Sequence, residues 1–225
     1  MQLPSPFNSG ISGAAQLIVC RKHKLVYLAP PKTGSSSIRQ VLLAEPFNGD
    51  LLGGHAHHGF EWSERFAEYF FFITVRHPFT RMYSLWRMIC NRRILFQEDP
   101  ETYSKFRWMS ERFPDEEPTI DEFMDSSDLL FRENWRCSWH LEQLPCGVNG
   151  TVVRLESYYK DLQEVPPLAA CLDQVLHVNP RIDDGPPWFE VINANRAKKI
   201  RQLWAEDFIR FGYTTTLKAT IALER

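Results

Sequence analysis

LVYLAPPKTGSSSIRQVLL, residues 25–43, is the stretch on which the fold of this chain turns. An apolar run from Leu25 to Ala29 delivers the backbone to Pro30 and Pro31, and Gly34 permits a tight turn. A helical pattern then starts at Ser35–Ser37, reaches Glu45 and is ended by Pro46. FFFITVRHPFTRMYSLW, residues 70–86, repeats the same order of strand, loop and helix. Phe70–Val75 has no polar residue besides Thr74, the pattern of a strand covered on both faces. Pro78 marks the first helical turn, where its missing N–H costs nothing, and the predicted helix runs to Arg93.

Outward from these two units, Gln16–Cys20 precedes Leu25–Ala29 across the polar Arg21–Lys24 and predicts a hairpin feeding the central strand. Thr151–Leu155 predicts a further parallel strand, Ser63–Glu68 a short helix, and Val191–Phe211 a long one with Ile192, Ala197, Ile200, Leu203, Trp204, Phe208 and Phe211 along one side. The charged stretch Glu98–Asp128, interrupted by Pro100, Pro114 and Pro118, is expected to be a surface excursion of short helices. Residues 1–15, rich in Pro, Ser and Gly, read as a loose lead-in, and residues 16–225 as one domain. Alternating strands and helices predict a single α/β domain with a P-loop-like central parallel sheet flanked by helices. Ligands of such sheets bind outside the carboxyl ends of the strands.

At 225 residues and 44% hydrophobic content, the chain can bury one substantial core. A net charge of −2 gives no general attraction to nucleic acid or to an acidic membrane, so any anion site has to be local. No apolar window is long enough for a membrane span, and the chain as written reads as soluble. The compartment stays open between cytoplasm and, if the native protein carries an N-terminal anchor, the Golgi lumen. The five cysteines form no CxxC pair. Cys137 and Cys146 could close a short loop in an oxidising compartment, but reduced, buried thiols are the favoured expectation.

The chemistry lies in the two loops. In PPKTGSSS, free amides at a helix start attract a phosphate, Lys32 adds a mobile charge, and the hydroxyls add donors. The lysine precedes the glycine, so the Walker spacing GxxxxGK[ST] is absent, which counts against an ordinary ATP or GTP enzyme. In VRHPFTRMYS, Arg76 at a strand end can grip a phosphate with its planar fork, and Ser84 in the following helix can add a hydroxyl. Arg81 is expected to brace the loop through a structural ion pair. Two phosphate cradles in one small domain point to a nucleotide with phosphates at both ends.

PKTGSSS resembles the 5′-phosphosulfate loop, and VRHPFTRMYS the 3′-phosphate loop, of sulfotransferases that use 3′-phosphoadenosine 5′-phosphosulfate, especially the carbohydrate sulfotransferase branch. VVRLESYYKDL at 152–162 and DFIRFGY at 207–213 are also similar to segments of that branch. The resemblance implies that Lys32, Thr33, Gly34, Ser35, Ser36 and Ser37 bind the 5′ side, with Lys32 also acting in catalysis at the bridging oxygen. It implies that Arg76 and Ser84 bind the 3′-phosphate; His77 stands where a small polar or acidic residue is common in relatives.

Sulfuryl transfer between two oxygens needs a base for the acceptor hydroxyl and charge stabilisation on the leaving phosphate, and it requires no metal. Three of the seven histidines sit together in GGHAHHGF, between the two cradles. Related carbohydrate enzymes often place a histidine base there, which makes His57 the first candidate and His55 and His58 the next. Glu61 and Glu64 are acidic alternatives, and no carboxylate or cysteine at a fitting spacing completes a zinc site. Trp62, Trp86, Trp135, Trp139 and Trp188 could line a sugar site or serve as core and rim. The expected acceptor is a hydroxyl-bearing compound, carbohydrate or glycosylated, with no nucleic acid partner. Two alternatives remain: a kinase-like nucleotide-binding protein with an altered phosphate loop, and a non-catalytic binder that retains the fold.

Overall fold

The β1 strand (Gln16–Cys20) turns back at Arg21–Lys24 to pair antiparallel with β2 (Leu25–Ala29), Gln16 facing Ala29 and Cys20 facing Leu25, as the hairpin pattern predicts. The computed structural model describes residues 16–52, 66–104, 107–114, 117–126, 136–142, 149–170 and 185–223. From β2 the chain passes through α1 (Ser35–Leu43) and the short β3 (Asp50–Leu51), which pairs antiparallel with β1, to β4 (Phe70–Val75). β4 runs parallel to β2, and β5 (Gly150–Arg154) runs parallel to β4. The sheet order is β3-β1-β2-β4-β5. Three adjacent parallel strands, β2, β4 and β5, therefore end at one edge.

Apolar side chains cover both faces of this sheet, which explains why its strands read as continuous hydrophobic runs. On one face Ile18, Cys20, Tyr27 and Phe72 pack with Ile38 and Leu42 of α1 and with Leu162 and Leu168. On the other, Leu17, Val26, Leu28, Ile73 and Val75 pack with Cys137 and Phe211. Period-two alternation thus sends successive residues of one strand into two different cores.

A third core surrounds α2 (Pro78–Glu98), which extends beyond the predicted end at Arg93. The buried Arg93 donates to the carbonyls of Phe113 and Pro114, so its charge is satisfied within the continuing helix. Pro100 stops the helix instead, since the residue before a proline is held extended, and Asp99 has φ −142°. After α3 (Arg107–Arg112) comes α4 (Ile120–Asp125), which buries Ile120, Phe123 and Met124 in this core. The expected surface excursion is therefore partly core. Thr119 and Glu122 form a reciprocal capping box, and the apolar residues follow at helical spacing, a local signal outweighed in the sequence by the surrounding charge.

After α5 (Cys137–Glu142), β5 leads through a single 3-10 turn, Leu155–Ser157, into α6 (Tyr158–Leu162) and α7 (Pro166–Ala169). The long helix expected over Val191–Phe211 is divided into α8 (Trp188–Val191), α9 (Ala194–Leu203) and α10 (Ala205–Arg210). Asn193 caps α9 by accepting from the amides of Asn195 and Arg196, and Trp204 leaves helical geometry at φ −125°. Ile192, Ala197, Ile200, Trp204, Phe208 and Phe211 are buried and Leu203 is half-buried, so the apolar side was legible although the continuity was not. The chain closes with α11 (Leu217–Leu223). Cys137 is a free, buried thiol, while Cys146 lies outside the described residues, as do Cys171, residues 63–65 of the expected short helix and the lead-in. Among the described residues no helix is long and apolar enough to cross a membrane.

Candidate functional site

The carboxyl edge of the parallel strands carries the first loop. Lys32 and Gly34 both take positive φ, 65° and 78°, turning the backbone sharply between β2 and α1. Gly34 is the N-cap of α1 and offers no side chain to the first-turn amides, and no acidic residue stands in that turn. No N-cap side chain competes for those amides, and the positive end of the helix dipole favours an anion there. Ser35, Ser36 and Ser37 form the first turn and are half-buried, as is Lys32.

Thr33 plays another part. It is fully buried, and its hydroxyl donates to the carbonyl of Pro30 at 2.8 Å while also meeting Thr74 Oγ1 at 2.7 Å. Thr74 in turn meets the Tyr27 hydroxyl at 2.7 Å. Because the Pro30 carbonyl only accepts, a single proton order, Tyr27 to Thr74 to Thr33 to Pro30, satisfies the whole chain. The one polar residue of β4 thus anchors the first loop from beneath.

The second loop begins at Arg76, the first residue after β4. Its Nε donates to Thr80 Oγ1 at 3.0 Å, so the guanidinium lies along the first turns of α2. Ser84 is four residues beyond Thr80, one turn along the same helix face, and is half-buried. Arg76 and Ser84 are thereby set along one side of the helix. His77 is buried and caps α2: its Nδ1 accepts from the Phe79 amide at 3.3 Å, and its Nε2 faces the Thr214 carbonyl and Thr220 Oγ1, both at 3.1 Å. Burial pushes its imidazole down from 6.5 to about 4, against the opposing pull of the Thr214 carbonyl, so the ring is neutral. A neutral ring with Nδ1 accepting carries its proton on Nε2, which donates to Thr214.

Arg81 ties the two loops to the last third of the chain. It is fully buried, donates from Nε to the Pro31 carbonyl at 3.1 Å, lies 3.6 Å from the Asp207 carboxylate and stands 5.1 Å over the Trp204 ring. Asp207 also accepts from the amides of Cys137 and Ser138 at 2.9 and 2.8 Å. The structural ion pair expected for Arg81 is present, with α10 as its partner element.

The third strand end adds Glu156, which the sequence pattern did not single out. One of its oxygens accepts from the His77 amide at 2.7 Å and the other from the Tyr213 hydroxyl at 3.0 Å. Burial, then the Glu156 charge, pushes the Tyr213 phenol up, which keeps it a donor. An acid just past a β-branched strand was visible in the sequence; its partners lie 79 and 57 residues away and were not.

Of the residues singled out beforehand, Lys32 through Ser37 and Arg76 lie in the loops at this one edge of the sheet, and Ser84 in the second turn of α2. His55, His57, His58, Glu61, Trp62 and Glu64 lie outside the described residues, as does Trp135. Trp188 is buried in the core around α2, and the Trp86 indole donates to the Pro118 carbonyl at 2.6 Å. Those two rings serve packing. Among the described residues no cluster of His, Cys, Asp or Glu is arranged to hold a metal ion.

A helix start behind a lysine loop, beside an arginine loop on the next parallel strand, gives this α/β protein a P-loop-like edge. The sequence model of the sulfotransferase family matches residues 15–214, nearly all of that architecture, and the chain belongs to this family. No curated protein and no solved structure matches the chain. Family membership assigns the chain to sulfuryl transfer in general.

Proposed function

We propose that this protein transfers a sulfuryl group from 3′-phosphoadenosine 5′-phosphosulfate to a hydroxyl, on a carbohydrate or glycosylated acceptor. The observation that carries the donor is the pairing of two loops at adjacent parallel strand ends, one with Lys32 at an uncapped helix start and one with Arg76 and Ser84. The first-turn amides and the hydroxyls of Ser35–Ser37 hold the 5′ side. Thr33 contributes its backbone alone, its hydroxyl being committed to Pro30 and Thr74. Arg76 and Ser84 hold the 3′-phosphate, the group that separates this donor from ATP.

In the transfer step the acceptor oxygen bonds to sulfur as the bond from sulfur to the bridging phosphate oxygen breaks. The acceptor proton passes to the base, His57 by its place in the His-x-His loop, with His55 and His58 next to it in sequence. Lys32 neutralises the charge that develops on the bridging oxygen. A flexible four-carbon stem on a φ-positive residue in the loop gives that ammonium the reach to follow the charge.

Thermal denaturation with adenosine 3′,5′-bisphosphate in the absence of metal tests the donor. At about a hundred times its dissociation constant the ligand should add about 2.7 kcal/mol of stability. Stabilisation by ATP with magnesium and not by the bisphosphate would assign the chain to the kinase-like alternative. A sulfate-transfer assay over a panel of hydroxylated glycans then distinguishes an enzyme from a binder: donor binding without product would reject catalysis.

A further inference from the structure

Leu155 and Glu156 are consecutive residues of the single 3-10 turn that follows β5, and they address different phosphate loops. Leu155 packs against the first loop so closely that a Cβ on Gly34 would stand 2.6 Å from Leu155 Cδ1. Glu156 grips the second loop through the His77 amide at 2.7 Å, next to Arg76. Because β4 lies between β2 and β5, the turn reaches over the neighbouring strand end to meet the one beyond it.

The turn is itself pinned from several sides. The Arg154 amide and the Ser157 hydroxyl both donate to Asp161 Oδ2 at 2.8 Å, closing it into the start of α6. The Arg154 guanidinium donates to the Phe211 carbonyl at 3.0 and 3.3 Å, and the Tyr213 hydroxyl donates to the free oxygen of Glu156 at 3.0 Å. Both oxygens of Glu156 are thus engaged in holding backbone and phenol. A short, rigid turn with one side chain on each loop has the properties of a spacer.

We propose that the turn Leu155–Ser157 sets the separation of the two phosphate loops, with Glu156 as a positioning residue that holds Arg76 at the distance a nucleotide phosphorylated at both ends requires. This rests on the donor reading given above. A ligand that bridges both loops depends on their spacing, whereas one that occupies only the first does not. Loss of Glu156 therefore weakens the doubly phosphorylated nucleotide selectively.

The test is calorimetric titration of adenosine 3′,5′-bisphosphate and of adenosine 5′-monophosphate into the full chain, wild type and variants. For Glu156→Ala, which removes both bonds, the bisphosphate should bind about tenfold more weakly, while the monophosphate stays within about twofold. Glu156→Gln, whose amide oxygen can still accept from the His77 amide, should recover most of that affinity. Tyr213→Phe, which removes only the phenol bond and keeps the ring, should weaken the bisphosphate by about threefold and serves if Glu156→Ala does not fold.

Equal loss for both ligands would mean a general structural role and would overturn the spacer. So would a bisphosphate affinity unchanged in Glu156→Ala, or unchanged in Tyr213→Phe where that variant stands in for it. If the wild type itself shows no preference for the bisphosphate over the monophosphate, the donor reading fails and the spacer with it, an outcome visible before any variant is made.

Discussion

Replacing Arg81 by methionine is the most direct trial of how the site edge is held together. The side chain is fully buried and joins three elements: Nε donates to the Pro31 carbonyl, the guanidinium faces Asp207 on α10 at 3.6 Å, and it lies 5.1 Å over Trp204. Methionine fills most of the volume, so the loss is electrostatic. Breaking a buried pair by removing one partner costs about 3–5 kcal/mol, because the other charge is left in a poor dielectric. Asp207 keeps two amide donors, Cys137 and Ser138, which places the expected loss at the lower end, about 3 to 4 kcal/mol including the Pro31 bond. For a chain of this length that lowers Tm by roughly 6–16 °C.

Urea denaturation of Arg81→Met, Asp207→Asn and the double variant measures it. Asparagine offers one acceptor where aspartate offers two, so one of the Cys137 and Ser138 amides would face an amide donor. The double variant should lose at least about 1 kcal/mol less than the sum of the singles, since each single strands a partner that the double removes. A loss below about 1 kcal/mol for Arg81→Met, or strict additivity, would refute the account of Arg81 as the brace of the first loop.

Four further outcomes are expected. Arg76→Ala should weaken adenosine 3′,5′-bisphosphate by about 1.5 to 3 kcal/mol in a binding titration, and unchanged affinity would remove Arg76 from the 3′ site. His57→Ala should abolish sulfate transfer while leaving donor binding intact; activity that survives it but not His55→Ala or His58→Ala assigns the base to a neighbour. His77 has a folded pKa of about 4, below its ordinary 6.5, so the unfolded chain binds the extra proton first and stability falls as pH drops between those values. Between about pH 7 and 5 this amounts to about 2 kcal/mol of unfolding free energy measured by urea denaturation, and His77→Asn, which can still cap α2, should remove that part of the dependence. Gly34→Ala should impair folding and donor binding together, since φ is +78° and Leu155 stands in the way; Leu155→Ala added to it should relieve the contact but not the backbone strain, and full rescue would contradict that division.

Local patterns carried much of the fold. The hairpin of β1 and β2, the apolar β4 and the helix opened by Pro78 depend on interactions within a few residues, which is why they could be read directly. The division of Val191–Phe211 depended on a cap at Asn193 and on Trp204 turning toward Arg81, a residue 123 positions away in the chain and so invisible to periodicity. Ile120, Phe123 and Met124 carried a correct local signal, but whether that face met solvent or α2 was a matter of packing.

The site divides along the same line. Lys32, Gly34, the serines and Arg76 with Ser84 could be singled out as candidates because phosphate binding by a loop and a helix start is local chemistry, written in consecutive residues. Only the tertiary structure showed that Thr33 spends its hydroxyl on Pro30 and Thr74, and that Glu156, His77 and Tyr213 form one chain of bonds behind Arg76. Sequence by itself marked two backbone turns as candidates for a phosphate. Their arrangement as neighbours, and the turn between them, was decided by the parallel order β2-β4-β5, because strand order is set by long-range burial that no local pattern encodes.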